Sequence, residues 1–505
     1  MLARILDLPF FVLLMGIGAA SMYVPAAQAA VTGQFEVMRA FFNSANLLLV
    51  LTSMIALATA NREPVNMARN HLLALFATFA LLPAMLAIPF VISVPDTGFL
   101  DAYVEMVSSI TTTGATLYAP ERLPDAVHLW RAQVGWMGGF FVWVTAVAIL
   151  APMNLGGFEV VAPEATGRGA ARATGEIWAT DGAHRLRRFS LRLFPVYAGL
   201  TAVLWVALLM AGERPLVAVS HAMSVLATSG ISPVGGLEGG ASGFAGEAVI
   251  FLFLFFAVSR QTFSAERLGE GLRRLVTDPE FRLGLMIILL VPLVLFARHW
   301  LGAIEASAGQ NLASALRALW GGVFTVASFL TTTGFESAAW DQARGWSGLE
   351  TPGTILIGLA LIGGGVATTA GGVKLLRVYA LYKHGMREME RLVQPSSVGG
   401  AGRGARRLRR QGAYMAWMFF MLFALSLSAI TAAFSMTGLD FEQSTVLATA
   451  ALSTTGPLAA VGGGAPISYA ALSEPAKGIL AAAMVLGRLE TLAIIALLNP
   501  DFWRR

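Results

Sequence analysis

Apolar runs long enough to cross a lipid bilayer recur along the whole chain, and they limit its fold more than any other feature. One of them, LLALFATFALLPAMLAIPFVISV, covers residues 72–94. A helix needs about 20 such residues to cross a hydrocarbon core of about 30 Å. Charged residues make up only 13% of the 505 residues, about half the share usual in soluble domains. The sequence therefore predicts an all-α polytopic membrane protein, with ten spans at residues 8–30, 42–60, 71–94, 132–151, 193–211, 243–260, 283–301, 351–373, 412–437 and 478–499.

Four shorter apolar segments lie between these spans, and each is followed directly by a loop of threonine or serine and glycine. The segments cover residues 99–110, 216–227, 315–330 and 441–452. The loops are TTTGAT (111–116), ATSGIS (227–232), TTTGFE (331–336) and STTGPL (453–458). Segments of this length are typical of re-entrant or buried helices rather than spans. The order of span, short helix, loop and span thus occurs four times, and such self-similarity predicts a repeat architecture.

This order divides the chain into a leading helical hairpin, four pore repeats and two cytoplasmic loops. The predicted boundaries are 1–62 for the hairpin, 63–160 for repeat one, 161–189 for a cytoplasmic loop, 190–270 for repeat two, 271–392 for repeat three, 393–410 for a basic cytoplasmic loop and 411–505 for repeat four. The AAQAA stretch in the first run is also typical of a cleavable signal peptide. The second run follows so closely that we interpret the pair as a retained hairpin.

Arginine and lysine concentrate in the loops between repeats, which tests the orientation independently. The loop before the fourth repeat is the densest and includes AGRGARRLRR at residues 401–410, whereas residues 231–247 after the second loop contain no basic residue. The positive-inside rule then places the loops between repeats in the cytoplasm and the Thr/Ser-Gly loops toward the outside. We interpret the net charge of +5 as this topological signal and not as a nucleic-acid-binding surface. The basic run could also attract anionic lipid or an acidic partner.

Four Thr/Ser-Gly loops around one axis predict a cation pathway. Irregular backbone within a membrane requires support from protein or a water-filled cavity. A ring of backbone carbonyls can replace the hydration shell of a cation, and glycine reaches the backbone angles that expose those carbonyls. The negative ends of the helix dipoles point at the same place, which favours a cation over an anion. One such loop alone would be read as an ordinary turn.

Other chemistries receive no support from the residues. The chain has no cysteine, and its six histidines are scattered without metal-ligand spacing. No Gly-Lys-Ser/Thr nucleotide-binding loop occurs. We therefore expect neither an enzyme nor a covalent cofactor. Glu105, in the first short segment, could contribute to the field near the pore or only bond the backbone. We interpret His221, in the second, as a packing residue rather than a ligand.

The chain resembles the Trk/Ktr/HKT superfamily of potassium transporters, and its TrkH-type pore subunits in particular. The resemblance covers the four repeats, the leading hairpin and the motifs IGGGVATTAGGVKLLR (362–377) and GRLETLAIIALLNPDFW (487–503). It implies potassium uptake across the bacterial inner membrane, with the pore mouth facing the periplasm. A potassium-binding subunit of an ATP-driven pump and a sodium-permeable relative remain the alternatives. A carrier of anions would need helix N-termini at its site.

The resemblance also implies which residues form a selectivity filter and hold potassium. They are Thr112, Thr113, Gly114 and Ala115, then Thr228, Ser229, Gly230 and Ile231, then Thr332, Thr333, Gly334 and Phe335, and finally Thr454, Thr455, Gly456 and Pro457. Serine at the first filter glycine is associated with sodium preference in this superfamily, so Gly114 favours potassium. The second and fourth loops depart from the family pattern at Ser229, Ile231, Thr454 and Leu458. Conduction by backbone carbonyls tolerates such changes better than selectivity does.

A gate beneath the filter is implied as well. Its residues would be Gly363, Gly364, Gly365, Thr368, Thr369, Gly371, Gly372, Lys374 and Arg488. So many glycines disfavour a continuous helix, since each costs about 1 kcal/mol relative to alanine. Arg488 and Glu490 lie inside the last apolar run, where a charge is a functional candidate. A buried ion pair is the alternative for Arg488, and the roles of Lys374 and Glu490 stay open.

The resemblance further implies partners. It predicts a homodimer in the bilayer and a separate cytoplasmic TrkA-like regulatory subunit that binds ATP/ADP or NAD. Potassium would be the transported ion, and no nucleic acid is expected.

Overall fold

The structure is a computed structural model that describes residues 9–59, 67–150, 182–259, 275–303, 312–347, 352–394 and 410–489. Regular secondary structure within these ranges is helical throughout, and no strand occurs among them. Polar backbone groups in a hydrocarbon core must be satisfied internally, and a helix does this within one segment. The predicted all-α class is confirmed.

The N-terminal hairpin consists of α1 (Phe10–Ser21), α2 (Tyr23–Val31) and α3 (Phe35–Thr59). The short turn between α2 and α3 contains Gly33 at a φ of 76°, a conformation that glycine reaches without steric cost. Phe41 of α3 packs edge-on against Trp130, with ring centroids 5.7 Å apart. The predicted hairpin is thus present and packs against the first repeat. Its second long helix, α3, begins at Phe35 rather than at residue 42.

The helices of the four repeats follow in chain order. In the first repeat they are α4 (Met67–Ala80), α5 (Leu82–Ser93), α6 (Phe99–Ile110) and α7 (Asp125–Thr145). In the second they are α8 (Gly182–Met210), α9 (Pro215–Ala227) and α10 (Gly243–Leu254). In the third they are α11 (Pro279–Ala303), α12 (Leu312–Leu330), α13 (Trp340–Ser347), α14 (Gly353–Ile362) and α15 (Leu375–Val393). In the fourth they are α16 (Arg410–Ser435), α17 (Phe441–Leu452), α18 (Leu458–Val461) and α19 (Glu474–Leu489).

Seven helical stretches in the described part of the chain are long and apolar enough to cross a membrane. They are Phe10–Val31, Phe35–Thr59, Leu72–Ser93, Arg185–Met210, Pro279–Arg298, Ala313–Leu330 and Gly412–Ser435. Six of them match predicted spans. The seventh lies within α12, which begins at Leu312 rather than at residue 315 and is therefore longer than predicted. Of the predicted spans without such a match, the run 351–373 is helical only to Ile362, where a glycine loop replaces the helix.

The four short helices α6, α9, α12 and α17 lie inside the protein. In α6, every residue from Val104 to Ile110 is buried. In α12, 61% of the apolar stretch is buried, compared with 11% in α16. The apolar stretch of α12 is thus more buried than those of α8, α11 and α16, although it is long enough to cross a membrane.

Candidate ion pathway

The four short helices end in one shared hydrogen-bonding pattern. At the end of α6, the Thr112 N–H donates to the Ser109 carbonyl and the Thr113 N–H to the Ser108 carbonyl, both at 2.9 Å. This pair of bonds is the Schellman motif, which normally closes a helix with glycine in the left-handed position. The equivalent pairs are Thr228–Val225 with Ser229–Ser224, Thr332–Phe329 with Thr333–Ser328, and Thr454–Ala451 with Thr455–Ala450.

Threonine occupies the left-handed position in all four motifs. The φ angles are 56° at Thr112, 52° at Thr228, 57° at Thr332 and 54° at Thr454. A β-branched residue at positive φ is an outlier, and the left-handed conformation costs about 1–2 kcal/mol for a residue with a side chain. Strain repeated at four matching positions points to a functional site.

Contacts between the loops begin a ring at the glycine that follows each strained threonine by two residues. A Cβ atom on Gly114 would lie 1.8 Å from the Ser229 carbonyl oxygen, and a Cβ on Gly230 would lie 2.4 Å from the Thr333 oxygen. Both glycines have positive φ, at 73° and 64°. The first loop therefore touches the second and the second touches the third, at distances that only glycine permits.

The fourth loop completes the ring. A Cβ on Gly334 would lie 2.9 Å from the Pro457 side chain, and a Cβ on Gly456 would lie 2.2 Å from the Ala115 nitrogen. The Gly456 N–H also donates to the Thr113 carbonyl at 2.6 Å. Gly456 is absent from the residues with positive φ, so the fourth loop differs in backbone from the other three. The contacts run from loop one through four and back to one.

Hydroxyl groups tie three of the loops internally. The pairs are Thr111–Thr113 at 2.8 Å, Thr331–Thr333 at 3.1 Å and Ser453–Thr455 at 3.2 Å. The second loop has Ala227 at the first of these positions, and the Ser229 hydroxyl bonds the Ser224 hydroxyl instead, at 3.1 Å. The hydroxyls thus hold each loop to itself or to its own helix.

A glycine-rich loop, residues 363–374, follows α14 and lies against the ring. The Gly371 N–H donates to the Thr332 hydroxyl at 2.7 Å, and the Thr369 hydroxyl donates to the Leu226 carbonyl at 3.1 Å. A Cβ on Gly371 would lie 2.1 Å from the Ser453 carbonyl oxygen. The glycine-rich loop therefore contacts the C-terminal end of α9 and the third and fourth Thr/Ser-Gly loops at once.

The far side of the glycine-rich loop is tethered to the second and third repeats. The Gly365 N–H donates to the Ala257 carbonyl at 2.9 Å, and the Val366 N–H donates to a carboxylate oxygen of the buried Glu280 at 2.8 Å. The Thr368 hydroxyl donates to the Gly365 carbonyl within the loop. These bonds compensate for the helical bonds that the broken segment lacks.

Glycine is required at several places in this loop by close backbone approach. A Cβ on Gly363 would lie 2.1 Å from the Gly371 carbonyl oxygen, and one on Gly364 would lie 2.6 Å from that of Ala257. Gly363 and Gly372 also have positive φ, at 72° and 74°. The predicted break in the helix is confirmed, and the glycines are needed because the loop folds back on itself.

Two cationic side chains donate to consecutive carbonyls of this loop. Arg488 of α19 is buried, and its Nη1 donates to the Thr369 carbonyl at 2.8 Å. The Lys374 Nζ donates to the Ala370 carbonyl. Among the described residues Arg488 has no carboxylate partner, and its Nε and Nη2 have no hydrogen-bond acceptor there. The described contacts connect Arg488 to the loop, while Glu490 lies outside the described residues.

The prediction from sequence missed two residues beside the glycine-rich loop. Arg377 donates to the Val373 carbonyl at 3.3 Å, and its guanidinium lies 3.8 Å from the centre of the Phe419 ring. Glu280 binds the loop from a helix more than eighty residues earlier in the chain. Arg377 stood inside a recognised motif, whereas no sequence signal connected Glu280 to the loop.

Two polar residues of the first two short helices take definite places. Glu105 is fully buried, pairs with Arg131 at 2.6 Å and accepts a hydrogen bond from the Leu117 N–H at 3.0 Å. The His221 ring bonds the Ser232 hydroxyl at 2.9 Å. Both therefore hold backbone or side chains that follow the ring glycines Gly114 and Gly230. Among the described residues no cluster of acidic and histidine side chains could hold a metal ion.

Comparison with known proteins decides the family. A family model described as TrkH, a cation transport protein, matches residues 255–503. The Trk system potassium uptake protein TrkH of Salmonella typhimurium is 30% identical over 469 residues, which cover 92% of this chain and 92% of that protein. The chain belongs to the TrkH family. The TrkH protein of Escherichia coli K12 is 28% identical over the same length.

The TrkH fold is also supported by a solved structure. The crystal structure of the potassium transporter TrkH from Vibrio parahaemolyticus matches with a TM-score of 0.80 and 26% identity, over 100% of both chains. The predicted resemblance to TrkH-type proteins and the predicted multi-pass helical class are thus confirmed. The TrkH family is a family of cation transport proteins and not of enzymes.

Proposed function

We propose that this TrkH-family chain forms the pore subunit of a potassium uptake system. The closed ring of four loops supports the proposal most directly, because each glycine lies within contact distance of the next loop. Four helix C-termini converge on the ring, and each carries roughly half a negative charge. The resulting field suits a dehydrated cation. The relatives' names, which state potassium uptake, favour potassium over sodium.

The filter of this proposal comprises the four residues of each loop named above, with Gly114 as the most sensitive position. The ring glycines have no side chain to narrow the path, and the strained threonines place the following carbonyls beside the neighbouring loops. Carbonyl oxygens that replace a hydration shell select the ion whose size and field they match.

A gate forms the second part of the proposal. The glycine-rich loop lies directly against the filter loops, and Arg488 and Lys374 donate to its carbonyls at Thr369 and Ala370. A loop held by a few hydrogen bonds on opposite sides, and not part of a helix, can move without unfolding a helix. Its displacement would open the path beneath the ring.

Orientation and partners complete the proposal. The concentration of basic residues between the repeats supports a cytoplasmic location for those loops, with the ring toward the periplasm of a bacterial inner membrane. The chain would act as a homodimer. A cytoplasmic TrkA-like subunit that binds ATP/ADP or NAD would regulate it, and the exposed Lys383 on α15 lies where such a subunit could dock.

The test is cation flux into liposomes that contain the purified protein, with and without Gly114→Ser. The serine Cβ would overlap the Ser229 backbone, so the ring must widen or twist there. We expect the ratio of potassium to sodium flux to fall by about 5- to 150-fold, the range that corresponds to 1–3 kcal/mol. Gly212→Ser is the matched control, because Gly212 also has positive φ, at 89°, but no atom lies within 4 Å of its Cβ position.

Two outcomes would contradict the proposal. The first is that the wild-type protein transports no potassium. The second is that Gly114→Ser folds and keeps the wild-type ratio of potassium to sodium flux. A fall in both fluxes with Gly212→Ser as well would indicate only general backbone strain. Rescue of a potassium-uptake-deficient bacterium at low external potassium provides the corresponding test in cells.

A further inference from the structure

One position on the short helices, nine residues before the filter glycine, carries a polar side chain in the first three repeats. The residues are Glu105, His221 and Thr325, and the fourth repeat has Leu447 there. All three polar side chains are at most 1% exposed. A buried polar group needs a hydrogen-bond partner, and the partners of these three prove to be equivalent.

Each of the three side chains bonds the chain just beyond the filter glycine of its own repeat. The Leu117 N–H donates to Glu105 at 3.0 Å, and the Ser337 N–H donates to the Thr325 hydroxyl at 3.2 Å. The His221 ring bonds the Ser232 hydroxyl at 2.9 Å. The bonded residues lie two or three positions after the glycine. The three side chains therefore act as braces between the short helix and the outer end of the filter loop.

The fourth repeat has a different brace at the same place. Leu447 cannot form a hydrogen bond, but the Tyr469 hydroxyl donates to the Gly456 carbonyl at 2.8 Å. Tyr469 is itself buried. A polar side chain thus holds the filter loop or the residues just after it in every repeat, although it comes from a different segment in the fourth.

We propose that these four braces, Glu105, His221, Thr325 and Tyr469, are positioning residues that set the ion selectivity of the filter. This inference rests on the proposed filter function. The inner end of each loop is fixed by its Schellman bonds to the helix. At the outer end, the brace ties the loop back to its own short helix in three repeats and to a later segment in the fourth. A loop released at its outer end can relax around a smaller ion, which removes the preference for potassium.

The first brace is charged and is neutralised locally. Glu105 pairs with Arg131 of α7 at 2.6 Å, and both side chains are at most 4% exposed. Hydrogen bonds to a charged acceptor are shorter and about twice as strong as neutral ones. The arginine keeps the carboxylate from adding a net charge beside the ring. The pair therefore acts by holding Leu117 in place.

The second brace also touches a neighbouring loop. The His221 ring packs edge-on against Phe335, with centroids 5.3 Å apart. Phe335 directly follows the ring residue Gly334. A change at His221 would therefore disturb two filter loops, whereas a change at Thr325 affects one. Thr325 is the cleaner position for a test.

The experiment compares Thr325→Val with Thr325→Ser in liposome flux assays for potassium and sodium. Valine keeps the shape and removes the acceptor for the Ser337 N–H, while serine keeps the hydroxyl. We expect the potassium-to-sodium flux ratio to fall by about 3- to 10-fold with valine, in line with the loss of one buried hydrogen bond, and to stay at the wild-type value with serine. Thr449→Val is the matched control, because Thr449 is buried on α17 and its hydroxyl has no partner among the described residues.

The flux ratio separates bracing from general destabilisation, because a partly unfolded protein loses both fluxes together. Should Thr325→Val not fold, Tyr469→Phe offers a second test, because it removes the hydrogen bond to the Gly456 carbonyl and should lower the ratio as well. An unchanged ratio in folded Tyr469→Phe would then overturn the inference. A folded Thr325→Val with an unchanged ratio would overturn the inference. If Gly114→Ser alters selectivity and Thr325→Val does not, the braces fail and the filter stands. If neither alters it, the filter assignment fails as well.

Discussion

A simple steric test of the proposed gate uses the close contact between Gly371 and the fourth Thr/Ser-Gly loop. Gly371 has no positive φ, so alanine is compatible with its backbone conformation. Its new methyl carbon would lie 2.1 Å from the Ser453 carbonyl oxygen and 2.3 Å from the Thr454 hydroxyl. Ordinary carbon–oxygen contacts are longer by roughly 1 Å, so the glycine-rich loop must retreat from the ring.

The size of the effect follows from that overlap. Overpacking of one methyl group costs about 1–3 kcal/mol. If the retreat relieves this cost fully, the ratio of open to closed pore rises by about 5- to 150-fold. We therefore expect Gly371→Ala to raise the basal potassium flux of the purified pore subunit in liposomes, in the absence of any regulatory partner, until the pore is fully open.

A matched control lies in the same segment. Gly358 belongs to α14, just before the loop, and no atom lies within 4 Å of its Cβ position. Gly358→Ala should leave the basal flux unchanged and slightly favour the helix. If Gly371→Ala folds and its basal flux equals that of the wild type, then the loop does not close the pore and the reasoning is refuted.

Three further predictions concern the same pathway. Arg488→Ala removes the bond to the Thr369 carbonyl and should raise leak in liposomes; an equal flux would exclude a restraining role. Thr332→Val removes the acceptor for the Gly371 N–H and should raise basal flux as well. Thr332→Ser keeps a hydroxyl there and should have the wild-type basal flux. Burial, reinforced by nearby carboxylates, raises the pKa of Glu336 to about 7, so its negative charge, two residues after Gly334, is present above that pH and lost below it. Initial uptake at low ionic strength should therefore be faster at pH 8 than at pH 6, and Glu336→Gln should remove that difference in a pH series.

Local features of the fold could be predicted from the sequence. The short helices and the loops after them stand out because glycine and threonine interrupt apolar runs at four similar places. The break after Ile362 was also visible, since a run of glycines disfavours helix. The greater length of α12 was not, because the residues just before 315 carry no strong apolar pattern.

Contacts between distant segments could not be predicted in the same way. Glu247 of α10 accepts bonds from the Ser337 hydroxyl and the Ala338 N–H, at 2.7 Å each, although those residues belong to the next repeat. Nothing local in the sequence marks such a pair. The braces differ in this respect, since counting back from each filter glycine would have found Glu105, His221 and Thr325. Tyr469 would have escaped that count, because it comes from a different segment.

The closure of the ring between Thr113 and Gly456 has a consequence for biosynthesis. The two halves of that contact belong to the first and the last repeat, so the ribosome completes the first long before the second exists. A nascent chain with three repeats in the membrane has three quarters of a ring and a gap where Gly456 belongs. The ring can therefore form only after the last helices have inserted, and a chain that is truncated before them would leave the other three loops without a closed circle.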